Sequence, residues 1–145
     1  MIVSLGADHA GFKLKEEIKV HLLSKGYQVL DEGTFDEGRC DYPDFAKKAA
    51  YDVIEGKASF GILCCGTGEG ISISANKIKG VRCGIGYDPE VSALTRQHNN
   101  ANMIAFGARF MKVDDVLKSV DAFLTTPFEG GRHNARVEKI NELEK

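Results

Sequence analysis

The stretch that decides the fold is Phe60-Gly61-Ile62-Leu63-Cys64-Cys65-Gly66-Thr67-Gly68-Glu69-Gly70-Ile71-Ser72. Its apolar first part is typical of a buried strand, and the residues after the glycine-rich part have the pattern of a helix start. The glycines between them cost backbone entropy and add no side chain to a core. A plain turn needs only one of them, so the stretch predicts a strand–loop–helix unit whose loop binds an anion.

Strand-like and helix-like segments alternate along the whole chain. We predict strands at Ile2 to Leu5, Gln28 to Asp31, Phe60 to Cys64, Arg82 to Tyr87 and Met103 to Phe106. We predict helices at Phe12 to Lys25, Asp44 to Glu55, Glu69 to Ile78, Pro89 to about Asn99, Val113 to Leu124 and Arg132 to Glu144, with a polar loop from Glu32 to Pro43. Alternating strands and helices form βαβ units. The predicted fold is therefore α/β, a three-layer α-β-α sandwich with a Rossmann-like five-stranded parallel sheet and a C-terminal helix.

Length and composition predict one soluble domain over residues 1–145. The net charge of -2 gives no sign of a nucleic-acid partner or a membrane surface. No apolar run approaches the length of a bilayer span, and the N-terminal residues lack the features of a signal peptide. The four cysteines have no metal-ligand spacing, so we expect no metal site and a reducing, cytoplasmic setting.

The fold predicts where a ligand binds. In parallel α/β sheets, ligands bind beyond the carboxyl ends of the strands. We therefore expect the loops that hold Asp8-His9, Cys65 to Gly70 and Gln97-His98-Asn99 to share one cleft.

The glycine loop has two interpretations. Gly66, Gly68 and Gly70 can turn backbone N–H groups inward as a nest, to which the following helix N-terminus adds partial positive charge. The alternative is a plain tight turn. The spacing is neither the dinucleotide pattern nor a Walker A loop, although Asp88 stands about 20 residues on, where a ribose-binding acid would be expected.

The adjacent cysteines should face opposite sides of the sheet, because strand side chains alternate. Cys64 is predicted to pack in the core. Cys65 stands where the strand ends and the helix begins, a position that favours a thiolate and a general base. The alternative for Cys65 is a second buried apolar side chain. Thr67 could donate its hydroxyl to the same ligand or bond to the local backbone.

Two further polar positions have both functional and structural interpretations. Asp8 and His9 can orient and polarise hydroxyl groups, whereas Asp8 could instead cap the first helix. His98 ends a helix, with Asn99 beside it, and a histidine there is often only a favourable cap.

The arginines are candidates for anion binding. Arg132 and Arg136 are four residues apart, so they share a helix face near its N-terminus, where positive charge is slightly unfavourable. A phosphate would reverse that penalty and suit two guanidinium groups. The alternative is a solvated charged face, and Arg109 is equally open.

Taken together, the chain resembles the ribose-5-phosphate isomerase B family of sugar-phosphate isomerases, over nearly its whole length. The matching motifs are Gly6-Ala7-Asp8-His9-Ala10-Gly11, Asp41-Tyr42-Pro43, Gly61 to Ser72, Ala75-Asn76-Lys77, Arg96-Gln97-His98-Asn99, Ala105-Phe106-Gly107-Ala108-Arg109 and Glu129-Gly130-Gly131-Arg132-His133. The resemblance implies interconversion of ribose 5-phosphate and ribulose 5-phosphate in the pentose phosphate pathway, without metal or cofactor.

The resemblance also implies residue roles. Cys65 would be the base that moves the proton between C1 and C2, and His98 would help to open the furanose ring with Asp8 nearby. The loop residues that would bind the enediolate and sugar oxygens are Gly66, Thr67, Gly68, Glu69 and Gly70. The residues that would surround the phosphate are His9, Arg109, Arg132 and Arg136, and Asn99 would contact the sugar. Some relatives use a glutamate in place of the cysteine, but Ser74-Ala75-Asn76 stands in that region here.

The resemblance further implies a homodimer or homotetramer with the site at the subunit interface. Two alternatives stay open at this stage. One is an isomerase of a six-carbon sugar phosphate, such as galactose or allose 6-phosphate. The other is a non-catalytic phosphosugar-binding module, which would have no use for Cys65 or His98.

Overall fold

A computed structural model describes all residues from Met1 to Lys145 and has alternating strands and helices. The strands are β1 (Ile2–Ala7), β2 (Gln28–Asp31), β3 (Phe60–Cys65), β4 (Cys83–Ile85) and β5 (Met103–Gly107). The helices are α1 (Phe12–Ser24), α2 (Tyr42–Ile54), α3 (Glu69–Asn76), α4 (Pro89–Asn99), α5 (Val113–Thr125) and α6 (His133–Glu142). All strand pairs are parallel, in the order β2-β1-β3-β5-β4. The predicted fold class is confirmed.

Strand β3 lies at the centre of the sheet and separates two apolar layers. Ile62 and Cys64 pack on one side with residues of α1 and α5. Leu63 and Cys65 pack on the other side with residues of α2 and α3. The alternation of side chains along a strand explains this division. None of the helices is both long and apolar enough to cross a membrane.

Some predicted boundaries are wrong by a few residues. β4 spans Cys83–Ile85 rather than Arg82 to Tyr87, because it is an edge strand that pairs only with β5. On its open side, the Asn76 side chain bonds to the N–H and the carbonyl of Cys83 and takes the place of a neighbouring strand. Helix α2 begins at Tyr42 and has Pro43 in its first turn. Proline is compatible with that position, because the first N–H groups of a helix have no partner within it. The predicted loop therefore ends at Asp41.

The direction of α4 decides which residues can meet. Its start follows β4, where the Asp88 side chain accepts hydrogen bonds from the N–H groups of Glu90 and Val91. The helix then returns to the amino ends of the strands. There the Asn100 carbonyl accepts a hydrogen bond from Arg82 (2.9 Å). The Asn102 carbonyl accepts one from the N–H of Gly61, near the start of β3 (3.1 Å).

Candidate functional site

Cys65 ends β3 at the carboxyl end of the sheet, with its sulfur turned to the glycine loop. The residue is only 4% exposed. Its Sγ accepts a hydrogen bond from the N–H of Gly68 at 3.1 Å, and such a donor is favourable to negative charge on the acceptor. Cys64 faces the opposite layer as predicted, and burial raises the pKa of its thiol. A proton-transfer role is therefore open to Cys65 and closed to Cys64.

The three glycines of the loop have separate structural reasons. Gly68 has φ +80°, and a Cβ there would lie 3.0 Å from the Phe106 backbone. A side chain at Gly66 would press on the Arg109 guanidinium, and one at Gly70 would clash with the Tyr42 ring. A single turn glycine would thus not be enough. The glycines let the chain pass between Arg109, Tyr42 and β5.

The loop offers free donors at its mouth. The N–H groups of Gly66 and Thr67 form no hydrogen bond to a backbone carbonyl. The first N–H groups of a helix also have no partner within it, and α3 starts at Glu69. The N–H of Glu69 is used locally, by the Thr67 hydroxyl (3.1 Å). Thr67 therefore has the local backbone bond that the sequence left open, and the remaining donors form a nest beside Cys65.

Asp8 and His9 follow β1 on the same end of the sheet. Asp8 is 6% exposed and accepts a hydrogen bond from the N–H of Gly11 (3.0 Å). It does not cap α1, because that helix has Gly11 at its N-cap and no side-chain cap. The Nδ1 of His9 faces the N–H of Cys40 at 3.3 Å. Neutral His9 that accepts this bond carries its proton on Nε2 and can donate it to a ligand.

Two residues that support this region were given no role from the sequence. Tyr42 packs its ring against Gly70 and is 39% exposed. Lys15 is fully buried and binds both oxygens of Asp31 (2.8 and 2.7 Å). Asp31 also accepts a bond from the N–H of Gly33, where the loop to Cys40 begins. The sequence signal for this buried ion pair is the position of Lys15 at the apolar face of α1.

The remaining candidates lie together at the amino end of the sheet. His98 stacks on His133 with ring centroids 4.4 Å apart and planes at 17°. The N–H of Glu129 donates to the carbonyl of Gln97 (3.1 Å), which ties the chain before α6 to the end of α4. The exposed residues around the histidines are Asn99, Arg132 and Arg136. Sequence reasoning used His133 only as part of a motif.

The two groups of residues are at opposite ends of the sheet within one chain. We call Asp8, His9, Cys65 to Gly70 and Arg109 the cysteine half-site. We call His98, Asn99, Glu129, Arg132, His133 and Arg136 the histidine half-site. The prediction that His98 shares one cleft with Cys65 is wrong for a single chain, because α4 returns to the amino end. The six residues of β3 separate the ends by roughly 15–20 Å.

A groove of about 490 Å³ opens beside the histidine half-site, between α4, α6 and the open side of β4. Arg82, Asn99 and Ile140 are among its lining residues, and Cys65 is not. The one chain therefore holds acid–base groups and anion-binding groups in two separate places.

The fold and the half-sites define an α/β protein that carries a thiol beside free backbone N–H groups at one end of its sheet and histidines beside arginines at the other. A family model described as Ribose/Galactose Isomerase matches residues 3–140. The chain belongs to this family.

Individual relatives match over nearly their full length. The chain is 46% identical to ribose-5-phosphate isomerase B of Escherichia coli strain K12. The aligned region covers 98% of this chain and 95% of that relative. The structure of the Clostridium thermocellum ribose-5-phosphate isomerase B has a TM-score of 0.98 at 44% identity, covering 99% and 97% of the two chains. The Mycoplasma genitalium enzyme, solved with bound ribulose-5-phosphate, has a TM-score of 0.94 at 41% identity, covering 99% and 95%.

Proposed function

We propose that this protein interconverts D-ribose 5-phosphate and D-ribulose 5-phosphate through an enediolate, as a step of the pentose phosphate pathway in the cytoplasm. Family membership and the names of the relatives support this activity. The match over residues 3–140 supports one sugar-phosphate isomerase domain across residues 1–145. The observation that carries the proposal is the Cys65 sulfur, held by the Gly68 N–H beside free backbone donors.

The cysteine half-site would carry out the proton transfer. Cys65 removes the proton from C2 of the open-chain aldose to give an enediolate, the O2 hydroxyl proton passes to O1, and the thiol returns its proton to C1. Negative charge then develops on the sugar oxygens, and the N–H groups of Gly66 and Thr67 are preset to receive it. Such donors cost no reorganisation when the charge appears. The thiol carries the proton, so this step needs neither metal nor cofactor.

The histidine half-site would open the ring and hold the phosphate. His98 donates a proton to the ring oxygen as its bond to C1 breaks, with Asp8 of the facing cysteine half-site nearby to accept the proton of the anomeric hydroxyl. Asn99 contacts the sugar. Arg132 and Arg136 bind the phosphate, together with His9 and Arg109 from the cysteine half-site. Binding energy from the phosphate, remote from C1 and C2, then fixes the reacting atoms over Cys65.

These roles require two copies of the chain. The half-sites are separated by the length of β3, which exceeds the length of a five-carbon sugar phosphate. We therefore propose a homodimer, or a homotetramer built from such dimers, in which the cysteine half-site of one copy faces the histidine half-site of another. A two-fold axis would make two equal sites in this way.

A complementation experiment tests the proposal. Cys65→Ala and His98→Ala should each be inactive alone, and mixed chains, unfolded and refolded together, should regain roughly a quarter of wild-type activity. The gain arises because half of the dimers are mixed and each mixed dimer has one intact site. The matched control mixes Cys65→Ala with His9→Ala. Both changes lie in the same half-site, so every site stays defective. No gain with His98→Ala would contradict the composite site.

A six-carbon substrate is the second candidate, since the family description includes galactose. Relative kcat/KM values on ribose 5-phosphate, galactose 6-phosphate and allose 6-phosphate decide between them. Turnover in deuterium oxide separates either isomerase from a binding module. An isomerase places deuterium at C1 or C2 of the sugar, and a binding module leaves the sugar unlabelled.

A further inference from the structure

Of the two stacked histidines, only His98 has a role in the proposed reaction, and His133 has none. His133 is 4% exposed, and its ring lies against that of His98 at 4.4 Å. Its Nε2 is 3.6 Å from a carboxylate oxygen of Glu129. His133 is thus a largely buried ring in contact with the proposed proton carrier, and its position calls for a reason.

A metal site is the first explanation to consider. The donor atoms of His98, Glu129 and His133 lie within 4.8 Å of one another. However, imidazole lone pairs lie in the ring planes, and the two planes are nearly parallel at 17°. In-plane lone pairs on stacked rings do not converge on one ion. Stacking therefore argues against chelation in this arrangement.

The charges around the two histidines favour a state in which only one of the rings is protonated. Burial, then the neighbouring His98 and Arg132, lower the pKa of His133, while Glu129 raises it and Arg136 lowers it further. Two imidazolium rings at 4.4 Å would repel each other strongly. One charged and one neutral ring, in contrast, attract each other face to face. His98 is the more exposed ring of the two.

We propose that His133 is a positioning residue for His98, holding the plane of its ring by stacking and leaving His98 as the only proton carrier of the pair. Glu129 faces the Nε2 of His133 and favours a proton at that nitrogen on the neutral ring. His133 thus acts through His98 and does not touch the substrate. This inference rests on the proposed role of His98 in ring opening.

The first test follows both rings by NMR as a function of pH, without substrate. In the wild type, His133 should stay neutral to a distinctly lower pH than an ordinary histidine. His98→Phe keeps a flat ring without a proton, so the His133 midpoint should rise by about one pH unit or more. His21→Phe is the control, because His21 pairs with Asp121 on α5 and should leave both midpoints unchanged. A His133 midpoint that stays fixed in His98→Phe would overturn the proposal.

The second test separates positioning from a structural role. His133→Ala should lower kcat by about tenfold or more with KM little changed, because ring opening and not phosphate binding is affected. His133→Phe should restore most of kcat, because its flat ring can stack on His98 as the imidazole does. An inactive His98→Ala beside a fully active His133→Ala would overturn only this inference. A fully active His98→Ala would overturn the proposed role of His98 itself.

Discussion

The cysteine half-site and the histidine half-site are built from different materials. The first uses backbone: free N–H groups, a left-handed glycine and a sulfur held by an N–H. The second uses side chains on helix ends, and its arginines are exposed without an ion-pair partner. Backbone donors are set when the sheet forms, whereas long side chains stay adaptable. The comparison suggests that proton transfer between C1 and C2 depends on the rigid cysteine half-site, whereas ring opening and substrate capture depend on the histidine half-site with its adaptable arginines.

The largest expected effect is at the centre of the rigid half. Cys65→Ala should lower kcat by about 10³-fold, since a positioned general base contributes on that scale. Phosphate-dependent binding of the sugar, measured by calorimetry, should persist because the arginines are untouched. Cys64→Ala is the matched control and should keep its turnover in the fraction that folds. Turnover retained by Cys65→Ala would remove the cysteine from the role of base.

The next largest effect should come from the Lys15–Asp31 ion pair, which supports the cysteine half-site. Asp31→Asn leaves the buried Lys15 charge without its partner and should lower the free energy of unfolding by about 3 kcal/mol. Burial tends to raise the pKa of Asp31, but hydrogen bonds from Lys15, the Gly33 N–H and Lys19 lower it below its ordinary value. Asp31 therefore stabilises the fold at neutral pH, and this contribution is lost as pH falls through its folded pKa.

The difference between wild type and Asp31→Asn should accordingly shrink in acid, as urea unfolding at several pH values would reveal. Within the folded protein, the NMR signals of His9 should move and those of His98 should not. Changes at His98 alone would contradict the assignment of the Lys15–Asp31 pair to the cysteine half-site.

The adaptable half should respond differently. Arg136→Ala removes a charged donor and should raise KM for ribose 5-phosphate by roughly 10- to 100-fold, with a smaller change in kcat. The free energy of unfolding should stay within about 0.5 kcal/mol, because the side chain is exposed. Lys139→Ala, on the same helix, is the control for charge alone. A loss mainly in kcat would mean that Arg136 acts on the reacting atoms and would blur the division of labour.

The smallest expected effect is on stability, at Glu32, which follows β2 near the cysteine half-site. A hydrogen bond to Asp52, burial and the charge of Asp52 raise the pKa of Glu32 to about 6. Its contribution to stability is therefore present below its ordinary pKa and lost as pH rises through about 6. Glu32→Gln should stabilise the protein at pH 7 by less than about 1 kcal/mol, since the group is only partly buried, and should have no effect at acid pH. Thermal unfolding at both pH values checks this.

The fold could be predicted because each βα unit is local. Apolar runs that end in polar turns identify the strands, and the loop after β3 stands next to Cys65 in the chain. The prediction of the family is confirmed as well. Strand β4 was overestimated because pairing with β5 alone, and the Asn76 side chain on its other side, cannot be inferred from local pattern.

The geometry of the histidine half-site was harder to predict. Contacts such as His98 with His133, or Lys15 with Asp31, join distant parts of the chain and leave no spacing signal. The position of His98 was different, since a helix that connects parallel strands must return to their amino ends. That rule places the end of α4 away from Cys65 and could have been applied to the sequence.

The return of α4 has a consequence for how the enzyme behaves on dilution. If every site draws on two copies, a separated chain has no complete site, and specific activity becomes a function of protein concentration. Mass action then sets a threshold below which added chain contributes little turnover. Saturating substrate, which bridges both halves, should lower that threshold, so the sugar phosphate would act as an assembly factor for the catalyst that consumes it.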